Sequence, residues 1–267
     1  MILYKYEATG NDFILTKDMP TDPKKLAIKT CDRHFGIGAD GLIYPEFKAN
    51  GVWMHYFNSD GSRAPMCGNG MRCFVKFLED MNLVNDKTFT VKTLGGDIKV
   101  FKEHTHIGLS INDLTLRHHA PHTVKKVASL EPVHFNVHNV DIDVYILSVG
   151  TLHGVVFVEN LETIDLLEIG KSLSTHEFFP NDININFVRI VDQKTINVTT
   201  YERGAGKTLS CGTGVLASAY ISNKVKNTFK AVTVHVPGGT LQTIIGEALT
   251  LKGPANLIAK IDFKGEL

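Results

Sequence analysis

Two cysteines of this chain stand in the same local frame. MCGNGMRCFVKFL carries Cys67 and SCGTGVLASAYIS carries Cys211, each followed by Gly-x-Gly and then by an apolar helical run. A cysteine at a helix start meets unpaired backbone N–H groups and the positive end of the helix dipole, which favour thiolate and lower its pKa from about 8.5. The glycines after it let backbone amides approach a ligand closely, so each start is also suited to a carboxylate. Two such starts sharing one carboxylate would leave its α-carbon between two sulfurs, one acting as base and the other as acid. A pair of that kind inverts a stereocentre.

A lone cysteine near a helix start is usually a small buried hydrophobe. The repeated glycine-flanked frame argues against that reading for Cys67 and Cys211, whereas Cys31 and Cys73 lack the frame and are read as structural. One cysteine with His153 as base would suit a nucleophilic hydrolase, but that leaves the second Cys-Gly-x-Gly without a role. GAGKT at 204–208 imitates the end of a phosphate-binding loop, yet Tyr201 stands where that pattern needs its first glycine. No Cys-x-x-Cys pair or zinc spacing occurs, so no metal is expected, and His118, His119 and His122 read as solvated residues of a linker. The Asn197-Val198-Thr199 sequon reads as chance.

The elements that must position these residues are mostly strands. Strand-like runs fall at 2–6, 52–57, 89–94, 98–101, 144–149, 155–158, 185–190, 196–201, 231–236 and 241–245, and helical segments at 22–33, 67–81, 163–175 and 211–224. Strands often follow one another with no helix between, which points to an α+β fold of mixed sheets wrapped about a few helices rather than a doubly wound parallel sheet. The Cys-Gly-x-Gly echo suggests two similar, pseudo-symmetric domains, each a curved sheet around its central helix. The division falls near the polar stretch DLTLRHHAPH at 113–122, giving domains 1–115 and 116–256, with the strand 257–267 returning to the first.

With 28 Lys+Arg against 28 Asp+Glu in 267 residues, nothing selects for polyanions, and no nucleic-acid partner is expected. Apolar runs fall far short of the roughly 20 residues that span a bilayer, so no membrane partner is expected either. The opening MILYKYEATGNDF lacks the pattern of an export signal, and four cysteines in such a chain suit reduced thiols. A cytoplasmic location is expected.

At this point the sequence resembles the diaminopimelate epimerase family of cofactor-independent amino-acid racemases. The resemblance rests on GNDF (10–13), FGIGADGLI (35–43), FNSDGSRAPMCGNGMRC (57–73), NINF (184–187) and YERGAGKTLSCGTG (201–214), in that order. It implies two pseudo-symmetric domains with the active site in the cleft between them, Cys67 and Cys211 as the acid/base pair, and no cofactor, pyridoxal phosphate included. It further implies that the amides of Gly68, Asn69, Gly212 and Thr213 hold the α-carboxylate. Asn11, Asn58, Asn184, Glu202 and Arg203 fall at substrate positions, Glu202 near the reacting end and Arg203 able to grip a distal carboxylate. His153 would support the site from a strand end. Taken alone, each loop asparagine could instead cap a turn.

The departures fall where substrate choice is made. The usual Gly-Asn-Pro-His reads Gly150-Thr151-Leu152-His153, so Thr151 replaces an asparagine that helps bind the distal carboxylate. Lys207, Ser210 and Gly41 also differ from common family residues. Two changes in one short motif favour a single polar amino acid, with histidine the leading candidate. Retained Asn58, Asn184 and Arg203 favour the alternative, conversion of LL- to meso-diaminopimelate. Either way the partner is a small amino-acid substrate, and a homodimer is left open. A rival of another class is a binding protein that keeps the fold without the chemistry; loss of a cysteine would have suggested it, and both are present.

Overall fold

The computed structural model describes residues 1–112, 116–117, 130–162 and 165–265. By compactness the chain divides into residues 1–110 with 252–267, and residues 111–251. Most of the segment 113–122 expected at the boundary, with His118, His119 and His122, lies outside the described residues. The return to the first unit begins at 252 rather than 257. The physical reason is that the Arg72 guanidinium, fully buried in the first unit, donates to the carbonyl of Pro254.

The first unit runs β1 (Ile2–Ala8), β2 (Asn11–Leu15), α1 (Pro23–Cys31), β3 (Gly41–Lys48), β4 (Gly51–Asn58), β5 (Arg63–Ala64), α2 (Gly68–Asp80), β6 (Thr88–Thr93), β7 (Gly96–Glu103) and β8 (His106–Asn112). The second runs β9 (Leu116–Arg117), β10 (Val133–Val137), β11 (Val140–Val149), β12 (Thr151–Phe157), α3 (Leu166–Ser174), β13 (Asn184–Asp192), β14 (Thr195–Glu202), β15 (Gly206–Thr208), α4 (Gly212–Lys226), β16 (Ala231–Val236), β17 (Gly239–Ile245) and β18 (Ala248–Gly253). β19 (Asn256–Asp262) then pairs antiparallel with β1.

The duplication seen around the cysteines extends to the topology. In the first unit β1 pairs antiparallel with β2, β2 parallel with β3, β3 antiparallel with β4, β4 parallel with β6, and β6 antiparallel with β7. In the second, β11, β12, β13, β14, β16 and β17 repeat those five relations in the same order. Each parallel step is bridged by a helix, α1 and α2 in the first unit, α3 and α4 in the second, as the geometry of parallel pairing requires. The short strands β5 and β15 fold back antiparallel on β4 and β14, ahead of the two cysteine-led helices. The fold is α+β, mixed sheets packed on a few helices.

Local chemistry explains why the elements start where they do. Asp22 caps α1 by accepting the Lys25 N–H, with Pro23 at the first helical position. Thr9 and Gly10, at φ 51° and 86°, form the two-residue turn of the β1–β2 hairpin and place Asn11 at the start of β2. α2 buries Met71, Cys73, Phe74, Val75, Phe77 and Leu78, and the Tyr4 and Tyr6 rings pack on Phe77. α4 is buried from Gly214 through Ser222, which the small residues Ala217, Ser218 and Ala219 permit. Fully buried side chains such as Val215 and Ile221 contribute about 1.5–3 kcal/mol each. No described helix is long and apolar enough to cross a membrane.

Several strands escape the sequence reading, among them β2, β3, β8, β10 and β18. β3 contains Pro45 and Glu46, which β4 accommodates in full register from Gly41 opposite Asn58 to Lys48 opposite Gly51. The parallel partner β2 and the hairpin partner β4 together override the weak local preference there.

Candidate active site

Cys67 and Cys211 occupy the same position, the N-cap of a central helix, with extended backbone at φ −141° and −118°. Glycine at the following position begins each helix. The second glycine of each frame serves packing instead: a Cβ on Gly70 would lie 2.9 Å from Ile43 Cδ1 and 3.3 Å from Phe13, and one on Gly214 would lie 2.2 Å from Asn186 Oδ1. Each helix can therefore start close against its sheet, and this purpose is separate from ligand approach.

In the first unit, the register Phe13 to Gly41 to Asn58 aligns the ends of β2, β3 and β4. Asn11, at the start of β2, donates its side-chain amide to Asp40 and turns its Oδ1 toward Cys67 Sγ at 3.7 Å and Asn69 Nδ2 at 3.3 Å. Cys67 Sγ also accepts the Gly70 N–H at 3.4 Å. Asp40 accepts from the Asp12 N–H at 3.1 Å and from Arg33 at 2.8 Å. Burial pushes the Asp12 carboxyl upward, but hydrogen bonds and charge from Arg33 and Lys5 outweigh it and hold its pKa below the usual value. Asn58 does what a turn asparagine does, donating to Ser62 Oγ at 2.9 Å.

In the second unit, the start of β12, the start of β13 and the end of β14 lie side by side, with His153 opposite Asn184 and Ile185 opposite Tyr201. Thr151, His153 and Thr213 converge: His153 Nε2 is 2.9 Å from Thr151 Oγ1 and 3.0 Å from Thr213 Oγ1, and Thr213 Oγ1 is 3.6 Å from Cys211 Sγ. His153 has no exposed surface, and burial, with a smaller push from the Arg203 charge, takes its pKa down to about 3. The ring is neutral at ordinary pH. Asn184 Oδ1 accepts the Arg203 N–H at 2.9 Å, and the exposed Arg203 side chain donates to Asn181 O at 2.7 Å. Glu202 accepts from Thr208 Oγ1 at 2.6 Å, and GAGKT lies in and beside the β14–β15 hairpin instead of running directly into a helix, since α4 begins at Gly212.

Asp40, Asn186 and Thr200 are among the partners that escape the sequence reading. Asn186 donates to His153 Nδ1 at 3.1 Å and to Gly154 O at 3.0 Å, and accepts from Thr200 Oγ1 at 3.0 Å. Its signal was available, because Asn186 sits between Ile185 and Phe187 in the first five residues of β13, all of which are buried. Cys31 and Cys73 are buried, and burial raises both thiols, Cys31 to about 12.

A duplicated sheet-and-helix unit with a cysteine at each central helix start defines a class, the amino-acid racemases and epimerases. The diaminopimelate epimerase family model matches residues 3–109 and 145–258. Diaminopimelate epimerase of Alkaliphilus metalliredigens is 39% identical over 96% of this chain and 95% of its own length. That of Methanothermobacter thermautotrophicus is 35% identical over 91% and 90%. Among solved structures, a phenazine biosynthesis protein of the PhzF family from Bacillus anthracis matches with TM-score 0.73 at 15% identity, covering 98% of both chains. A probable proline racemase from Agrobacterium radiobacter matches with TM-score 0.69 at 12% identity, covering 99% of this chain and 93% of that one. These two likenesses concern the fold. The chain belongs to the diaminopimelate epimerase family, and it is an isomerase.

Proposed function

We propose that the protein interconverts LL- and meso-diaminopimelate by proton transfer between two thiols, without a cofactor. The observation that carries the chemistry is the paired N-cap position of Cys67 and Cys211 on equivalent helices. The amides of Gly68, Asn69, Gly212 and Thr213, at the positive ends of those helices, hold the α-carboxylate and stabilise charge that develops as the α-proton leaves. One sulfur, as thiolate, takes that proton and becomes a thiol; the other gives its proton to the opposite face and becomes a thiolate. The reaction requires both sulfurs to reach one α-carbon.

For the substrate, support comes from relatives named diaminopimelate epimerase at 39% and 38% identity and from the retention of Asn11, Asn58, Asn184, Glu202 and Arg203. Arg203 supplies the charge for a distal carboxylate. The case for histidine rests on the Thr151-Leu152 change. Thr151 already has partners in His153 and Thr213, so the change is accounted for within the second cysteine's surroundings. This favours diaminopimelate over histidine.

The test is a chiral chromatographic assay of the reduced protein, with no added cofactor, on LL- and meso-diaminopimelate and on L-histidine. Turnover of diaminopimelate with one solvent deuterium entering the α-carbon is expected. Turnover of histidine alone would replace the substrate reading, and near wild-type activity of both Cys67→Ser and Cys211→Ser would overturn the mechanism.

A further inference from the structure

Arg63 stands four residues before Cys67 and donates through Nη2 to His55 Nδ1 at 2.7 Å. On the other side of the same ring, His55 Nε2 lies 2.8 Å from Glu46 Oε2. The three residues come from three neighbouring strands, β5, β4 and β3. The direction of both hydrogen bonds is fixed. A guanidinium can only donate, so Nδ1 accepts. Hydrogen bonds from Lys48 and His55 hold the Glu46 carboxyl below the usual carboxylate range, and an ionised carboxylate can only accept. The ring proton is therefore on Nε2 and the imidazole is neutral. His55 is 9% exposed and stacks on Tyr44 with ring centroids 4.9 Å apart, which holds its plane.

The chain from Glu46 through His55 to Arg63 ends on the segment that delivers a sulfur. β5 pairs with β4 through two residues, Ala64 opposite Tyr56 and Arg63 opposite Phe57. Beyond it Pro65 has no N–H to give, and its carbonyl accepts the Gly95 N–H at 3.1 Å before Cys67 opens α2. A two-residue ladder and one carbonyl are a light hold for a sulfur that must approach an α-carbon closely. Misplacement by about 1 Å can cost on the order of a hundredfold in rate. Arg63, lying over the Phe57 ring at 6.0 Å, adds a side-chain tie from this segment to β4 and, across the imidazole, to β3.

We propose that Arg63 and His55 are positioning residues for Cys67, with neutral His55, oriented by Glu46, offering Nδ1 as the acceptor that anchors the segment ahead of the cysteine through the Arg63 guanidinium. This rests on the reading of Cys67 as one member of the acid/base pair. Neither residue is assigned a contact with substrate. If His55 merely filled space beside Tyr44, the identity of the acceptor it offers would not matter.

Two substitutions separate these roles. In His55→Asn the side-chain oxygen takes the place of Nδ1 and can still accept from Arg63, while the contact with Glu46 is lost. In His55→Gln the amide takes the place of Nε2 and can keep Glu46, while Arg63 is left without its acceptor. His55→Gln should lower kcat about tenfold with KM within about twofold, and His55→Asn should keep kcat within about threefold. Arg63→Met, at an exposed side chain, should match His55→Gln, and the double variant should be no worse than either single one, because both remove the same contact.

Hydrogen exchange of the ligand-free proteins reads the tether without turnover. Amides of residues 59–67 should exchange about tenfold faster in His55→Gln and Arg63→Met than in the wild type or His55→Asn, with β1 and β2 protection unchanged. Long-range proton–nitrogen correlation of the ¹⁵N-labelled wild type should show the His55 proton on Nε2. Unchanged exchange at 59–67 in Arg63→Met, equal losses in His55→Asn and His55→Gln, additive losses in the double variant, or a proton on Nδ1 would sink the proposal. Failure of the racemase reading would show instead in the deuterium assay of the wild type, which these exchange and ring measurements do not use.

Discussion

His153 shows what one buried residue commits the molecule to. Its side chain has no exposed surface and its pKa is held down to about 3, against about 6.5 in the unfolded chain. Between those values the unfolded chain binds a proton that the folded one does not, so stability is full above about pH 6.5 and declines as pH falls toward 3. The loss between pH 6.5 and pH 4 is on the order of 3 kcal/mol. Urea unfolding across that window should therefore show a steeper decline for the wild type than for His153→Gln, and parallel curves would refute it. Cys31 and Cys73, whose thiols burial raises, should resist alkylation in the folded protein on the timescale that labels the half-buried Cys67. At this scale the sequence was legible for the cysteines and for His153. It was not for Asn186, because a buried asparagine declares its partners only when Gly154 and Thr200 have been brought beside it.

Among the elements, the helix starts carry the sharpest constraint. On Gly214 an added methyl would lie 2.2 Å from Asn186 Oδ1, in a network with no slack, whereas on Gly70 it would meet the far end of Ile43 at 2.9 Å. Gly214→Ala should cost about 3 kcal/mol in urea unfolding, and Gly70→Ala about 1 kcal/mol, because only the second neighbour can swing aside. Equal costs would mean that the two starts are packed alike. Gly214→Ala should also reduce turnover, since it displaces Asn186 from His153. The four helices follow the sequence reading to within a few residues, and the reason is local: Asp22 and Asp165 cap α1 and α3, and apolar spacing marks α2. β3 and β18 could not be read in the same way, because their stability comes from partner strands.

For the whole molecule, the returning segment is the point to test. β19 pairs with β1 from Ile2 opposite Asp262 to Glu7 opposite Asn256, and buried Arg72 joins Pro254 O to Thr9 Oγ1 at the β1–β2 turn. Removing residues 254–267 should unfold the first unit preferentially. Hydrogen exchange should then show β1 and β2 amides losing protection while β13 and β14 keep theirs, and uniform protection would sink the idea. The sequence by itself determined the duplicated cysteine frame, the family, the helix positions and the chemistry that two thiols can do, because these depend on residue type and short-range spacing. Only the tertiary structure decided that the two units share one strand-pairing order, that the second glycines are packing sites, and that Asn11 offers Cys67 an acceptor while Cys211 meets the Thr213 hydroxyl. Hydrogen-bond direction depends on which groups distant in the chain are brought into contact, and local spacing does not encode it.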